Sequence, residues 1–268
     1  MTAGEQEKTT DAPSHGHTFL YGSDGKPREQ LLLPEGFSTP YRPDIIRKDF
    51  LASASNRRQP YGSMKRAGMR HSVETWGKGR GVARVQRIKG QSTAAQSPNN
   101  VGGRRAHPPR QEKGWHLKIN GKERKMAKLS ALAASGNREL VAGRGHRISD
   151  NVYLPVVFED DMEMLSKSSD FEQVLGKLGI IEDIVRVRDG THIRAGRGKM
   201  RNRRYREPVG PLVVVSSMEV PLAKSARNLA GVTVATPASL NTEKLAPGGD
   251  AGRLVLFSRK AIEMMRGV

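Results

Sequence analysis

Apolar residues in this chain fall into short unbroken runs that alternate with stretches of helical spacing, and each kind of block predicts an element. Residues 18–21 and 30–33 flank Gly22-Ser23-Asp24-Gly25-Lys26-Pro27, which reads as a hairpin. Residues 43–51 place Pro43 at a first helical turn with apolar positions at helical spacing behind it. Residues 121–135 predict the clearest helix: Met126, Leu129, Leu132 and Ala133 form one face, alanines raise the propensity, and Gly136 ends it. The run 152–158 has strand length, and the acids Glu159-Asp160-Asp161 follow it. Beyond it, 169–178 predicts a helix capped by Ser169 or Asp170, and 184–187 a strand. The rhythm resumes with strands at 212–215, 232–235 and 253–257 and helices at 222–229, 239–245 and 258–265. Strands apolar throughout, alternating with helices, imply an α/β fold with a mostly parallel sheet covered by helices on both faces.

Between the helical stretches at 43–51 and 121–135 the pattern breaks down. Residues 57–113 carry Arg57, Arg58, Lys65, Arg66 and Arg70, then Lys78, Arg80, Arg84, Arg87 and Lys89, then Arg104, Arg105, Arg110 and Lys113. Only Glu74 and Glu112 oppose these 14 cations, a net +12. Glycines interrupt the segment, Pro98, Pro108 and Pro109 forbid long helices, and the apolar residues settle into no period. Too little apolar surface is present to offset an ordering cost of about 1–2 kcal/mol per residue, so the segment is expected to stay extended until a partner orders it. The partner such a composition fits is a shaped polyanion: Arg and Lys neutralise phosphates, while glycine lets the backbone come close. Tyr61 and Trp76 are placed to stack on bases or on guanidinium planes, and His107 to stack or touch phosphate.

A second basic run, 186–206, holds Arg186, Arg188, Arg194, Arg197, Lys199, Arg201, Arg203, Arg204 and Arg206 against Asp189, with Tyr205 among them. The whole chain has 268 residues and a net charge of +19, yet 23 of its basic and 24 of its acidic residues lie outside the two runs. A neutral globular body therefore carries two cationic segments. The expected layout is a polar, disordered tail over 1–17, an α/β domain from 18–56 and 114–268, an extended loop over 57–113, and a second basic loop over 189–208. With no cysteine, no apolar leader and no run of membrane-spanning length, the expected compartment is the cytoplasm.

Catalytic chemistry is not indicated. Gly77-Lys78-Gly79-Arg80-Gly81 has neither a strand before it nor a helix after it, and Gly196-Arg197-Gly198-Lys199-Met200 lacks the Ser or Thr of a phosphate-cradling loop. The fold is thus expected to be Rossmann-like without a nucleotide site. Asp160-Asp161 and Glu182-Asp183 are paired acids of the kind a metal-dependent nuclease uses, but the first pair reads better as the start of a helix. His15-Gly16-His17 is an incidental pair, and no cofactor or small-molecule substrate is expected.

Several stretches also resemble a known family. They include Asn56-Arg57-Arg58-Gln59-Pro60-Tyr61-Gly62-Ser63, Trp76-Gly77-Lys78-Gly79-Arg80-Gly81, Arg105-Ala106-His107-Pro108-Pro109, and Lys122-Glu123-Arg124 with Ser130-Ala131-Leu132-Ala133-Ala134. Arg144-Gly145-His146, Ile193-Arg194-Ala195-Gly196, Arg203-Arg204-Tyr205-Arg206, Ala226-Arg227-Asn228-Leu229-Ala230-Gly231-Val232 and Leu245-Ala246-Pro247-Gly248-Gly249 follow in order. Together these resemble the large-subunit ribosomal protein L-four family in its archaeal and eukaryotic branch. The resemblance implies a globular α/β domain and a long loop that enters ribosomal RNA, with 66–89 deepest and its tip at the peptide exit tunnel. It also implies neighbouring ribosomal proteins and the nascent peptide as partners, and no membrane. A free-standing nucleic-acid chaperone or packing protein, or an RNA-processing enzyme using the paired acids, are the competing expectations from charge alone.

Overall fold

The computed structural model describes residues 16–266. They divide into two compact units, one running up to Ser53 and again from Lys118 onward, the other Ala54–Leu117. Of the tail expected over 1–17, residues 1–15, His15 among them, lie outside the described residues, and His17 already belongs to a strand.

The first unit opens with β1 (His17–Tyr21) and β2 (Pro27–Leu32), an antiparallel hairpin, followed by α1 (Pro43–Asn56). Two short strands of the second unit, β3 (Val73–Thr75) and β4 (Gln86–Ile88), come next. The first unit then continues with α2 (Gly121–Ser135), α3 (Arg138–Gly143), β5 (Val156–Phe158), α4 (Ser168–Lys177) and α5 (Ile181–Gly190). A two-stranded hairpin, β6 (His192–Ile193) with β7 (Tyr205–Arg206), precedes β8 (Leu212–Val214), α6 (Pro221–Arg227), β9 (Thr233–Ala235), α7 (Thr242–Leu245), β10 (Val255–Ser258) and α8 (Arg259–Arg266). The main sheet has the order β2-β1-β5-β10-β8-β9, parallel except for the β1–β2 pair.

The central strands β5 and β8 are unbroken apolar runs because both faces of the sheet are covered there, whereas the edge strand β2 is polar and mostly exposed. Successive strand residues point to opposite faces, and each face has its own core. Phe19, Tyr21, Val156, Phe158, Val213 and Leu256 pack with Phe171, Leu175, Ile184 and Leu222 from α4, α5 and α6. Leu20, Val157, Leu212, Val214, Val255 and Phe257 pack with Ile46, Leu132, Leu245 and Ile262 from α1, α2, α7 and α8. At the central strands neither face meets water, so neither needs polar residues.

The structure departs from the sequence expectations in particular places. The strand expected at 184–187 is part of α5: Ile184 and Val187, three apart, are buried, while Val185 between them is 39% exposed. The strand expected over 152–158 begins only at Val156, because Pro155 has no N–H to offer a ladder. On α2 the buried residues are Ala127, Ala131 and Ala134 with Ser130, Leu132 and Ser135, whereas Met126 turns outward. Neither Ser169 nor Asp170 caps α4; Lys167 holds that place without a side-chain bond. Arg186, expected in that strand, and Arg188 both lie on α5, whose last residues 189–190 fall where the second basic loop was expected to begin, and Arg188 pairs with Glu172 at 3.1 Å.

At the amino ends of the parallel strands a buried charge network holds the unit together. Arg253, 2% exposed, donates from Nε to Gly210 O (2.9 Å), from Nη1 to Lys244 O (2.8 Å), and from Nη2 to Thr233 Oγ1 (2.8 Å). It thereby ties the approaches to β8, β9 and β10 to one planar group. Burial, then the positive charge of Arg144, pushes its pKa down to about 10, so it stays charged at neutral pH. Asp183, fully buried in the first turn of α5, accepts from His146 Nδ1 (3.0 Å), Arg147 N (3.0 Å) and Arg186 Nε (2.9 Å). Burial alone would push its carboxyl up; the bonds from His146 and Arg186 outweigh that and hold it below the usual range.

The opposite, carboxyl ends of the sheet are where a nucleotide would bind in such a fold. Here Glu163, 2% exposed, accepts from Ser216 N at 2.8 Å and Ser216 Oγ at 2.7 Å just beyond β8. A buried carboxylate bonded at this end disfavours a phosphate.

Candidate nucleic-acid interface

Residues 54–117 form the second unit, and among them Ala95, at 8% exposed, is the one buried residue. What order the unit has comes from backbone pairing and ring contacts. β3 and β4 pair antiparallel, Val73 opposite Ile88, and the chain returns alongside β4, with Ala95 N donating to Gln86 O at 3.0 Å. The loop between the strands carries Trp76-Gly77-Lys78-Gly79-Arg80-Gly81, where Gly77, Gly79 and Gly81 all have φ between 65° and 85°. A side chain at any of the three would be strained, which accounts for alternate glycines around two exposed cations.

Rings and guanidinium groups are paired throughout the unit. Arg80 and Arg87 lie 5.4 and 5.1 Å from the Trp76 ring centroid, and Arg87 also donates to the carbonyls of Ala83 and Ser92. Arg58 and Lys113 lie 4.4 and 4.7 Å from the Trp115 ring, against which Tyr61 stacks at 6.2 Å and 19°. Ser55 Oγ donates to the Trp115 carbonyl. Trp115 organises this cluster, yet sequence reasoning does not single it out; one of only two tryptophans in the chain, standing two residues after Lys113, is the signal that could have found it.

The two acids of the basic run are each taken by a lysine, Glu112 by Lys65 at 2.8 Å and Glu74 by Lys89 at 3.6 Å. The Lys65 ammonium holds the Glu112 carboxyl below its ordinary range. Exposed pairs of this kind are screened by water and cannot hold a fold by themselves. Arg57, Lys65, Arg66, Arg70, Lys78, Arg80, Arg84, Lys89, Arg105, His107, Arg110 and Lys113 are exposed or nearly so; Trp76, Arg87 and Arg104 are half-buried. Arg104 sits beside Gly68, where an added Cβ would come within 2.7 Å of the Arg104 Cα.

In the first unit the second basic run forms the β6–β7 hairpin, its ladder extended by Arg194 N donating to Arg204 O at 2.9 Å. Arg194, Arg197, Lys199, Arg201, Arg203, Arg204, Tyr205 and Arg206 lie on this ribbon toward solvent, and the Arg204 guanidinium is 5.6 Å from the Tyr205 ring. Arg186, by contrast, is committed to Asp183 and Val209 O. The short ribbon thus presents a cluster of cations around one tyrosine.

The paired acids form no metal centre. Asp183 is consumed by the network around His146, and Asp160 Oδ1 accepts from Lys260 N at 3.2 Å near the start of α8. Among the described residues no group of three or more His, Cys, Asp and Glu side chains is placed to hold a metal ion. No helix among them is long and apolar enough to cross a membrane.

Comparison with known proteins gives this arrangement its context. The family described as Ribosomal protein L4/L1 matches residues 31–268. The large ribosomal subunit protein uL4 of Thermoplasma acidophilum is 46% identical over 249 residues, 93% of this chain and 97% of that protein. Its namesakes in Methanosphaera stadtmanae and Halobacterium salinarum are 44% identical over 246 residues and 45% over 240, covering 92% and 90% of this chain and 95% of each relative. This match over nearly the full length shows that the chain belongs to the ribosomal protein L4/L1 family and is a structural protein, not an enzyme.

Proposed function

We propose that this chain, a structural constituent of the large ribosomal subunit, binds ribosomal RNA through residues 57–113 and the β6–β7 hairpin and aids assembly by ordering together with that RNA. The observation that carries the reading is a segment with one buried residue and a net charge of +12. The short β3–β4 ladder and the ring contacts offset only a small part of the cost of ordering it, whereas phosphates would offset the rest. Arg and Lys position the segment on phosphates, and Tyr61 and Trp76 give it register by stacking. The loop over 66–89, with its three left-handed glycines between the strands, is the part proposed to line the peptide exit tunnel and meet the nascent peptide. Neighbouring ribosomal proteins are the proposed partners of the α/β body.

The experiment is co-sedimentation. When the tagged chain is expressed in a cell, it is expected to stay with large subunits through a wash in roughly molar salt, because a segment enclosed by folded RNA cannot exchange as counterions do. Release of most of the chain in that wash would contradict the reading and favour a free-standing nucleic-acid chaperone.

A further inference from the structure

Within the second unit, rings, cations and a hollow meet at one place. Gly62 lies so close to the Pro109–Gln111 backbone that a Cβ built on it would stand 2.7 Å from Pro109 O and 2.9 Å from Gln111 N. Two passes of the chain therefore cross there in direct contact. Beside the crossing, Tyr61, Arg105, His107, Pro108, Arg110 and Lys113 are among the residues lining an open hollow of about 610 Å³. Trp115 is covered by Arg58, Lys113 and Tyr61, so its ring is engaged within the protein. Tyr61 differs: backed by Trp115, it is still 60% exposed and lines the hollow. Glu112, the one acid in the lining, is held by Lys65 at 2.8 Å, which offsets its repulsion of phosphate.

A flat, backed aromatic ring beside three cations matches a nucleobase with its flanking phosphates. A base inside a duplex has both faces covered by its neighbours and cannot be taken up this way. We propose that this hollow captures one unstacked nucleobase of a single-stranded loop or bulge of ribosomal RNA on Tyr61, with Arg105, Arg110 and Lys113 on the adjoining phosphates. The assignment rests on the RNA-binding reading above and adds which form of RNA this part of the segment takes.

Fluorescence anisotropy of the full chain tests it, using a labelled single strand of about ten nucleotides and a hairpin duplex of the same length in the same salt. Tyr61→Leu is expected to weaken the single strand about 5- to 100-fold, the range for losing one stacked base, and the duplex at least fivefold less. Tyr61→Phe, which keeps the ring, is expected to restore most of the affinity, and circular dichroism checks that each variant is folded. A Tyr61→Leu variant that binds the single strand as wild type does, or that loses both forms equally, overturns the assignment while leaving RNA binding intact. Adenosine monophosphate competing as effectively as the oligonucleotide also overturns it, since the site would then serve free nucleotides. A wild-type chain that binds neither RNA removes the underlying reading itself.

Discussion

Raising monovalent salt from about 50 to about 200 mM is expected to weaken binding of the full chain to large-subunit RNA by about 10³- to 10⁵-fold. That range corresponds to roughly six to ten phosphate contacts, fewer than half of the 21 cations carried by residues 57–113 and 194–206. Not every cation needs to engage for the effect to be this large. Replacing Arg197, Lys199, Arg201 and Arg203 together by Gln is expected to flatten the plot of log affinity against log salt by about 3, at about 0.7–0.9 for each phosphate no longer neutralised. None of the four bonds to the buried network, so the fold should be unaffected. Filter binding over a salt series reads both values. A slope that does not change in the quadruple variant would remove the β6–β7 hairpin from the interface.

Asp183→Ala is expected to destabilise the α/β body by about 3 kcal/mol, at the lower end of the cost of orphaning a buried charge partner. It removes a fully buried acceptor shared by His146, Arg147 N and Arg186. Arg186 is the least affected, because its side chain is 21% exposed and can reach water. Asp183→Asn keeps an oxygen for Arg147 N and Arg186 and should cost less, about 1–2 kcal/mol. Urea unfolding measures both, and a loss below about 1 kcal/mol for the alanine variant would contradict the network's role. The pH dependence has a definite sign. A carboxyl whose folded pKa is lowered contributes stability that is present above its unfolded pKa, near 3.9, and is lost as pH falls through the lower folded value. Wild type should therefore lose part of its advantage over Asp183→Asn on acidification below about pH 4.

Much of the fold was legible because the sheet is buried on both sides. Residues 212–214 and 255–257 admit no polar position, and such runs between helical stretches have few other uses. α5 was misread for the same reason that made β8 easy: Ile184-Val185-Arg186-Val187 is rich in β-branched residues, and four residues are too few to separate a period of two from one of 3.6. The fate of Asp183, contacted by residues 36 and 37 positions earlier in the chain, was beyond any local pattern. α3 did carry a signal, since Asn137 Oδ1 accepts from Glu139 N at 2.9 Å, but six residues give little periodicity.

The proposed interface was legible in composition and not in geometry. Charge and glycine marked residues 57–113 as a segment without a core, and the single buried residue there accords with that reading. Sequence could not show that Trp115 draws Arg58, Tyr61 and Lys113 together, because the first two stand more than fifty residues away from it. Nor could it show that Arg186, counted with the basic run, is spent on holding α5. Hairpins as short and polar as β3–β4 and β6–β7 leave no alternation to read.

Hydrogen exchange on the full chain, with and without large-subunit RNA, tests most directly whether the cationic segment gets its order from a polynucleotide. Free chain should show amides in β5, β8 and β10 slowed by orders of magnitude while those over 62–112 exchange close to the unfolded rate, and adding RNA should slow the second set. Protection over 62–112 equal to that of the sheet strands with no RNA present would contradict it.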